Sequence, residues 1–273
     1  MNYNQKLFSL ANLINNLRNY FFLKLRFKSF GDIKPSLTLV GVGPGDPSLI
    51  TIAAIKAIRK ATVIAYPVSQ LGGKSMAAEI AGDWIKGKRT MPLVFPMTLD
   101  GDSLDQHWKI ASEKLSNAIQ TGENVVFISQ GDPSLYSTCC YVLIYLKSHY
   151  PECTLKIIPG VNSFSAAAAA GQWPLSLQKE ALFVSPVPEE PKDFENLLDE
   201  SLRKGLVLVL LKLGFRWEWV RPILEKKGLL DKTLFVKKVG FFDQEISKAE
   251  NVSKDSKPYF SLLIVRPHWP SIK

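Results

Sequence analysis

The chain has 273 residues, 46% hydrophobic and 22% charged, which is enough apolar material for one large domain or two modest ones and excludes a disordered chain. Its formal net charge is +9, but residues 1–35 hold six of the 34 cations and one of the 25 anions, leaving 28 cations against 24 anions beyond them. That weak excess argues against a nucleic-acid partner and suits a ligand bearing several carboxylates. Cys139, Cys140 and Cys153 show no C-x-x-C spacing, and His107, His149 and His268 form no H-x-x-x-H pair. Reduced thiols, a cytoplasmic location and no metal site are therefore expected.

Residues 1–35 come first as a basic N-terminal extension. Leu7, Leu10, Ile14, Leu17, Phe21 and Leu25 recur at helical spacing among lysines and arginines, the pattern of a frayed, docking or membrane-surface amphipathic helix. Its apolar run, Tyr20–Leu23, is too short to span a bilayer. Beyond it, Leu37–Val42, Thr62–Tyr66, Met91–Phe95, Asn124–Ser129 and Leu155–Ile158 read as strands, with helices near 48–59, 75–86, 103–120, 134–148 and 163–171. This alternation predicts an α/β layer with a mostly parallel sheet. A second alternation follows: strands Ala181–Ser185, Leu206–Leu211, Thr233–Val239 and Tyr259–Val265, with helices near 191–203 and 215–227. Two α/β domains are expected, 36–176 and 177–273, with a ligand cleft between them.

Three strand ends run into glycine turns. The first is Gly41-Val42-Gly43-Pro44-Gly45-Asp46-Pro47, the second Gln130-Gly131-Asp132-Pro133-Ser134 and the third Pro159-Gly160-Val161-Asn162-Ser163. Asp46 with Pro47 reads as a helix start, repeated at Asp132, and Asn162 or Ser163 as a cap for the alanine-rich run that follows. In a parallel sheet these junctions share the edge where ligands bind. A dinucleotide fingerprint fails because Asp46 stands where its third glycine belongs, and a P-loop fails because Val68 stands where its first glycine belongs. A ligand without a phosphate chain remains. S-adenosylmethionine fits, since glycine-rich backbone can present N–H donors to its carboxylate and carbonyl oxygens to its sulfonium.

G-x-G-P-G-D, G-D-P-x-x-Y-S and P-G-V-x-S-F-x-A-A-A, in that order, resemble the tetrapyrrole methylases over roughly residues 36–266. Tyr66-Pro67-Val68-Ser69, Phe95-Pro96-Met97-Thr98, Tyr136-Ser137-Thr138, Ser163-Phe164-Ser165-Ala166 and Tyr259-Phe260-Ser261-Leu262-Leu263 are similar to the precorrin-2 C20-methyltransferase branch. The resemblance implies a parallel N-terminal sheet, a mixed C-terminal sheet, S-adenosylmethionine between them and a homodimer. It further implies that Pro44, Gln130, Gly131, Asp132, Leu135, Asn162, Ser163, Leu213, Gly214 and Gly240 contact the cofactor. Gln130, Asn162 and Leu213 depart from the residue types usual in that branch, at positions where backbone contacts would survive. Uroporphyrinogen methylases carry an aspartate, proposed as a base, where this chain has Pro67, so no catalytic base carries over. Tyr136 and Asp132 are the nearest polar candidates for assisting proton loss, each with a structural reading as packed ring or helix cap.

The expected reaction is methylation of precorrin-2, metal-free or cobalt-loaded, at C20, giving precorrin-3A or cobalt-precorrin-3 in cobalamin biosynthesis. Lys74, Arg89, Lys212 and Arg216 are candidates for the substrate's carboxylates; Trp217 and Trp219 lie on different helix faces, so one of them is expected in core packing rather than macrocycle stacking. The rival readings are another corrin-ring methylase, a ribosomal-RNA methylase of related fold, and a non-catalytic tetrapyrrole-binding protein. The weak charge of 36–273 disfavours RNA.

Overall fold

The central strands of the first half, Leu37–Gly41, Val63–Val68 and Val125–Ser129, are mostly apolar and buried on both faces, as a sheet covered by helices on both sides requires. The computed structural model describes residues 37–96 and 101–269, so the extension 1–35 and the motif residues Met97 and Thr98 lie outside the described residues. In chain order the elements are β1 (Leu37–Gly41), α1 (Ile52–Lys60), β2 (Val63–Val68), α2 (Met76–Ile80), α3 (Gly82–Ile85), β3 (Arg89–Val94), α4 (Gly101–Gln120), β4 (Val125–Ser129), α5 (Thr138–His149), β5 (Leu155–Ile158) and α6 (Ser163–Ala170). There follow β6 (Leu182–Pro186), α7 (Pro191–Lys204), β7 (Val207–Leu211), α8 (Trp217–Lys226), β8 (Thr233–Lys237), β9 (Glu245–Lys248) and β10 (Ser261–Val265).

The first sheet has the order β3-β2-β4-β1-β5, with every pair parallel. Alternation along its strands divides the core. Leu37, Leu39, Val63, Ala65 and Phe127 pack with Leu115 of α4 and Val142 and Leu146 of α5. Val40, Ile64, Val126 and Ile128 pack on the other face with Ala54 and Ile58 of α1 and Ile80 of α2. The second sheet has the order β6-β7-β10-β8-β9, with β6–β7 parallel and the other pairs antiparallel. This α/β architecture of one parallel and one mixed sheet is the expected fold class.

Helix α6 joins the two sheets. Its buried Ala166, Ala167 and Ala168 pack with Val209, Val236 and Ile264 of the second sheet. Small side chains let this helix lie close, and a Cβ on Gly171, just past its end, would stand 2.5 Å from Leu234. Residues 36–273 accordingly group as one compact unit.

Four expectations about elements are corrected. The helix expected at 48 begins at Ile52, capped by Thr51, whose hydroxyl accepts from Ala54 N at 3.1 Å; Asp46 caps only a three-residue turn, Pro47–Leu49. The helix expected at 134 begins at Thr138, capped by Ser137, which leaves Leu135 and Tyr136 in the loop. The single helix expected over 75–86 is broken at Ala81 into α2 and α3. Strand β9, with one apolar residue among its four, carried too little pattern to be read; pairing with β8 and the Lys237–Glu245 ion pair at 3.0 Å hold this charged edge. Among the described residues no helix is long and apolar enough to cross a membrane.

Candidate functional site

Strand register brings the three glycine turns together. Gly41 pairs with Ser129 and Val40 with Ile158, so β1, β4 and β5 release their loops side by side. Gly43 and Gly131 then exchange backbone hydrogen bonds: Gly43 N donates to Gly131 O at 3.3 Å and Gly131 N to Gly43 O at 2.7 Å. A Cβ on Gly41 would stand 2.5 Å from Gly131 O and 2.7 Å from Gly160 N, and one on Gly160 would stand 2.9 Å from Gly41 Cα. Contacts that close do not occur at real Cβ atoms, so these two positions are glycine because the turns pack on one another.

Side chains complete the clamp. Gln130 Nε2 donates to Pro44 O at 2.9 Å, tying the second turn to the first. Asp132 Oδ2 accepts from Gly160 N at 2.9 Å, tying the second to the third, while its Oδ1 accepts from Ser134 N at 2.8 Å and from the Ser134 hydroxyl. Asn162 occupies the N-cap position of α6 with its side chain making no capping bond.

The second sheet presents an edge to this clamp. Because β10 runs antiparallel to β7 and β8, the ends of β7 and β8 meet the start of β10: Leu213 N donates to Ser261 O at 3.0 Å and Lys238 N to Phe260 O at 2.8 Å. A cavity lies between the two edges. Seven of the ten expected cofactor residues line it, namely Pro44, Gln130, Gly131, Asp132, Leu135, Asn162 and Ser163. Facing them are Leu211, Lys212, Val236, Lys238, Tyr259 and Leu262. Ser261 also lines it, and its buried hydroxyl has no hydrogen-bond partner among the described residues.

The other three expected residues sit outside that lining. Leu213 is fully buried in the core of the second sheet, and Gly214, with φ 56°, lies against Tyr259. Gly240 packs on the first turn, where a Cβ would stand 2.5 Å from Asp46 N. Its neighbour Phe241 packs against the α1 face of the first core, and a Cβ on Gly45 would stand 2.7 Å from that ring. Residues 240–241 thus fasten the second sheet's loop to the first turn.

The catalytic candidates are both engaged. The Tyr136 hydroxyl donates to Val184 O at 3.1 Å, bridging to β6, and both Asp132 oxygens accept from the protein. Behind the second turn, burial pushes the Cys139 thiol up to about 12 against the opposing hydrogen bonds of Ser137 and Ser129, so it is no nucleophile.

The cation candidates divide. Arg89 begins β3, at the sheet edge opposite the cavity, and pairs with Glu123 at 2.5 Å. Lys74 is exposed in the loop after β2, Arg216 pairs with Glu189, and Lys212 lines the cavity. Trp217 donates Nε1–H to Ser253 O at 2.8 Å within the core, and Trp219 packs edge-on against Phe194. Lys238 and Leu262 were missed as cavity-lining residues: Gly240 and the Tyr259–Leu263 motif mark their segments, but nothing in the sequence shows which strand-end side chains face the cavity.

The sequence profile of the family described as Tetrapyrrole (Corrin/Porphyrin) Methylases matches residues 36–251. Over 230 residues the chain is 35% identical to the probable cobalt-precorrin-2 C(20)-methyltransferase of Methanocaldococcus jannaschii, covering 83% of this chain and 94% of that one. It is 32% identical over 235 residues to the cobalamin biosynthesis protein CobIJ of Mycobacterium tuberculosis, covering 83% of this chain and 45% of CobIJ. The chain therefore spans about half the length of that relative. A cobalt-precorrin-4 C(11)-methyltransferase of Priestia megaterium is 29% identical over 183 residues, 64% of this chain and 63% of that one. Among solved structures, the methyltransferase CobJ matches with a TM-score of 0.61 at 21% identity, covering 87% of this chain and 96% of that one. The uroporphyrin-III C-methyl transferase from Thermus thermophilus complexed with S-adenyl homocysteine matches with a TM-score of 0.56 at 22% identity, covering 84% and 96%. These two likenesses show the fold.

Proposed function

Because the chain belongs to the tetrapyrrole methylase family, we propose that it transfers a methyl group from S-adenosylmethionine to C20 of precorrin-2, or of cobalt-precorrin-2, in cobalamin biosynthesis. The observation that carries this reading is the clamp of three glycine turns facing the second sheet's edge across one cavity. The methionine cofactor supplies an electrophilic methyl on a sulfonium, so the protein's task is alignment, with reacting atoms about 3–3.5 Å apart.

The residues present fit that ligand. Gly131 lines the cavity with open space where its Cβ would stand, and the buried Ser261 hydroxyl lacks, among the described residues, a partner that a polar ligand group would provide. Pro44, Gln130, Gly131, Asp132, Leu135, Asn162 and Ser163 would hold the cofactor between domains 36–176 and 177–273. Leu213, Gly214 and Gly240 would act from behind, fixing the β7 and β8 turns. Tyr136 and Asp132 hold the walls in place, and a macrocycle whose electron-rich meso carbon attacks directly requires no covalent intermediate. We further propose a homodimer.

Incubation of the protein with methyl-labelled S-adenosylmethionine and precorrin-2, metal-free and cobalt-loaded, tests the reading. One labelled methyl at C20, located by NMR, is expected. A methyl elsewhere would favour another corrin-ring methylase, a reading to which the C(11)-methyltransferase likeness lends weight. A bound but unmethylated macrocycle would indicate a non-catalytic tetrapyrrole-binding protein.

A further inference from the structure

Five non-glycine residues hold left-handed backbone among the described residues, and three of them, Tyr136 (φ 49°), Lys212 (57°) and Lys238 (46°), line the same cavity. Side chains with a Cβ disfavour that conformation, and residues kept in it cluster where a fixed direction serves function. Lys212 comes immediately after β7 and Lys238 immediately after β8, so the same strained geometry recurs at two neighbouring strand ends.

The two lysines differ in what they meet. Lys238 Nζ donates to Asp243 at 2.6 Å, which neutralises it within its own loop. Among the described residues, Lys212 Nζ has no carboxylate within 4.0 Å. It stands instead 5.9 Å from the ring centres of both Tyr136 and Tyr259. Aromatic faces hold an ammonium electrostatically, yet they leave its three N–H donors free for a stronger acceptor. Asp132, the one anion lining the cavity among the described residues, is already occupied by Ser134 and Gly160. Among the described residues Lys212 is therefore the cavity-lining cation without an anionic partner, held between one ring from each half of the molecule.

We propose that Lys212 binds a peripheral carboxylate of the macrocycle and so fixes which part of the ring faces the methyl donor. This rests on the methyltransferase reading above. A carboxylate could equally come from the donor's amino-acid group, but the position of Lys212 favours the macrocycle. Its flanking rings, Tyr136 and Tyr259, are 47% and 39% exposed, which puts the ammonium at the cavity rim, whereas Asp132 and Ser261, 9% and 2% exposed, mark the sheltered side of the lining.

The test compares wild type with Lys212→Met, Lys212→Arg and Lys212→Gly. For Lys212→Met, the KM for precorrin-2 is expected to rise about 10–100-fold, the range for losing a charge-assisted hydrogen bond. The Kd for S-adenosylhomocysteine should stay within about threefold. Arg should restore part of the loss. Gly should lose substrate affinity without lowering the thermal midpoint, because glycine tolerates the left-handed backbone. Titration with uroporphyrin III, a stable macrocycle with eight carboxylates, gives a readout independent of turnover and should weaken in the Met variant. An unchanged KM in Lys212→Met overturns the proposal. A loss confined to S-adenosylhomocysteine assigns the carboxylate to the donor and also overturns it. A fall in all affinities together with the thermal midpoint makes the lysine structural. A wild type that neither methylates precorrin-2 nor binds uroporphyrin removes the underlying reading as well.

Discussion

Asp46 and Asp132 occupy identical pentapeptides, Gly-Asp-Pro-Ser-Leu, and both accept from the backbone N–H two residues on, each at 2.8 Å. Only Asp132 reaches a second turn, through Gly160 N, and it is buried where Asp46 is half-exposed. The same five letters therefore serve as a local cap in one place and as a cross-loop tie in the other. Asp132→Ala leaves a part-buried N–H without its acceptor and should cost about 2–3 kcal/mol of stability. It should also weaken S-adenosylhomocysteine binding at least about tenfold by calorimetry. Asp46→Ala removes only a cap, about 1 kcal/mol, and should leave that affinity within about twofold. The sequence told the two apart only through the tyrosine-serine pair after the second copy. The partner of Asp132 lies 28 residues away and becomes visible only once β4 and β5 flank β1.

At the scale of elements, the loop after β8 shows how the two sheets are held. Gly240 and Gly45 approach without Cβ atoms, and the Phe241 ring crosses to the first core. Phe241→Ala should cost about 2 kcal/mol, below the 3–5 kcal/mol of a fully buried phenylalanine because this ring is half-buried. It should also weaken S-adenosylhomocysteine binding, since the first turn would lose its backing; thermal denaturation and calorimetry check both. The strands were legible because both-face burial gives continuous apolar runs, as in Val125–Ser129 and Val207–Leu211. The Phe241 contact was not, because a Gly-Phe-Phe run gives no hint of which ring turns inward; Phe242 is 97% exposed. Helix starts were misplaced for a related reason. An Asp-Pro-Ser turn caps itself, and the true caps, Thr51 and Ser137, come five residues later.

Across the whole molecule, the connection between the halves is secured by Arg266, which is 1% exposed just past β10. Its guanidinium donates to Pro174 O at 2.9 Å and Leu175 O at 3.3 Å, and to Glu180 at 2.5 Å, binding residues 174–180 to the second sheet. Burial alone would raise the Glu180 carboxyl, but hydrogen bonds from Arg266 and from Leu177 N–H, together with the Arg266 charge, hold it below its usual value. A depressed folded value means the pair's contribution is complete above the free-glutamate range, near pH 4.3, and fades as pH falls through the folded value. Glu180→Gln should therefore lower the thermal midpoint at pH 7, and its deficit relative to wild type should shrink as pH falls below the free-glutamate range. The order of glycine turns and strands pointed to this architecture, while the left-handed backbone of Lys212 and Lys238 and the place of Lys238 and Val236 in the lining needed the folded chain. The most direct test of the whole account is a crystal structure with S-adenosylhomocysteine bound. It should show the ligand between the three glycine turns and the edge formed by Lys212, Val236 and Leu262; density for it anywhere else on the molecule would contradict the account.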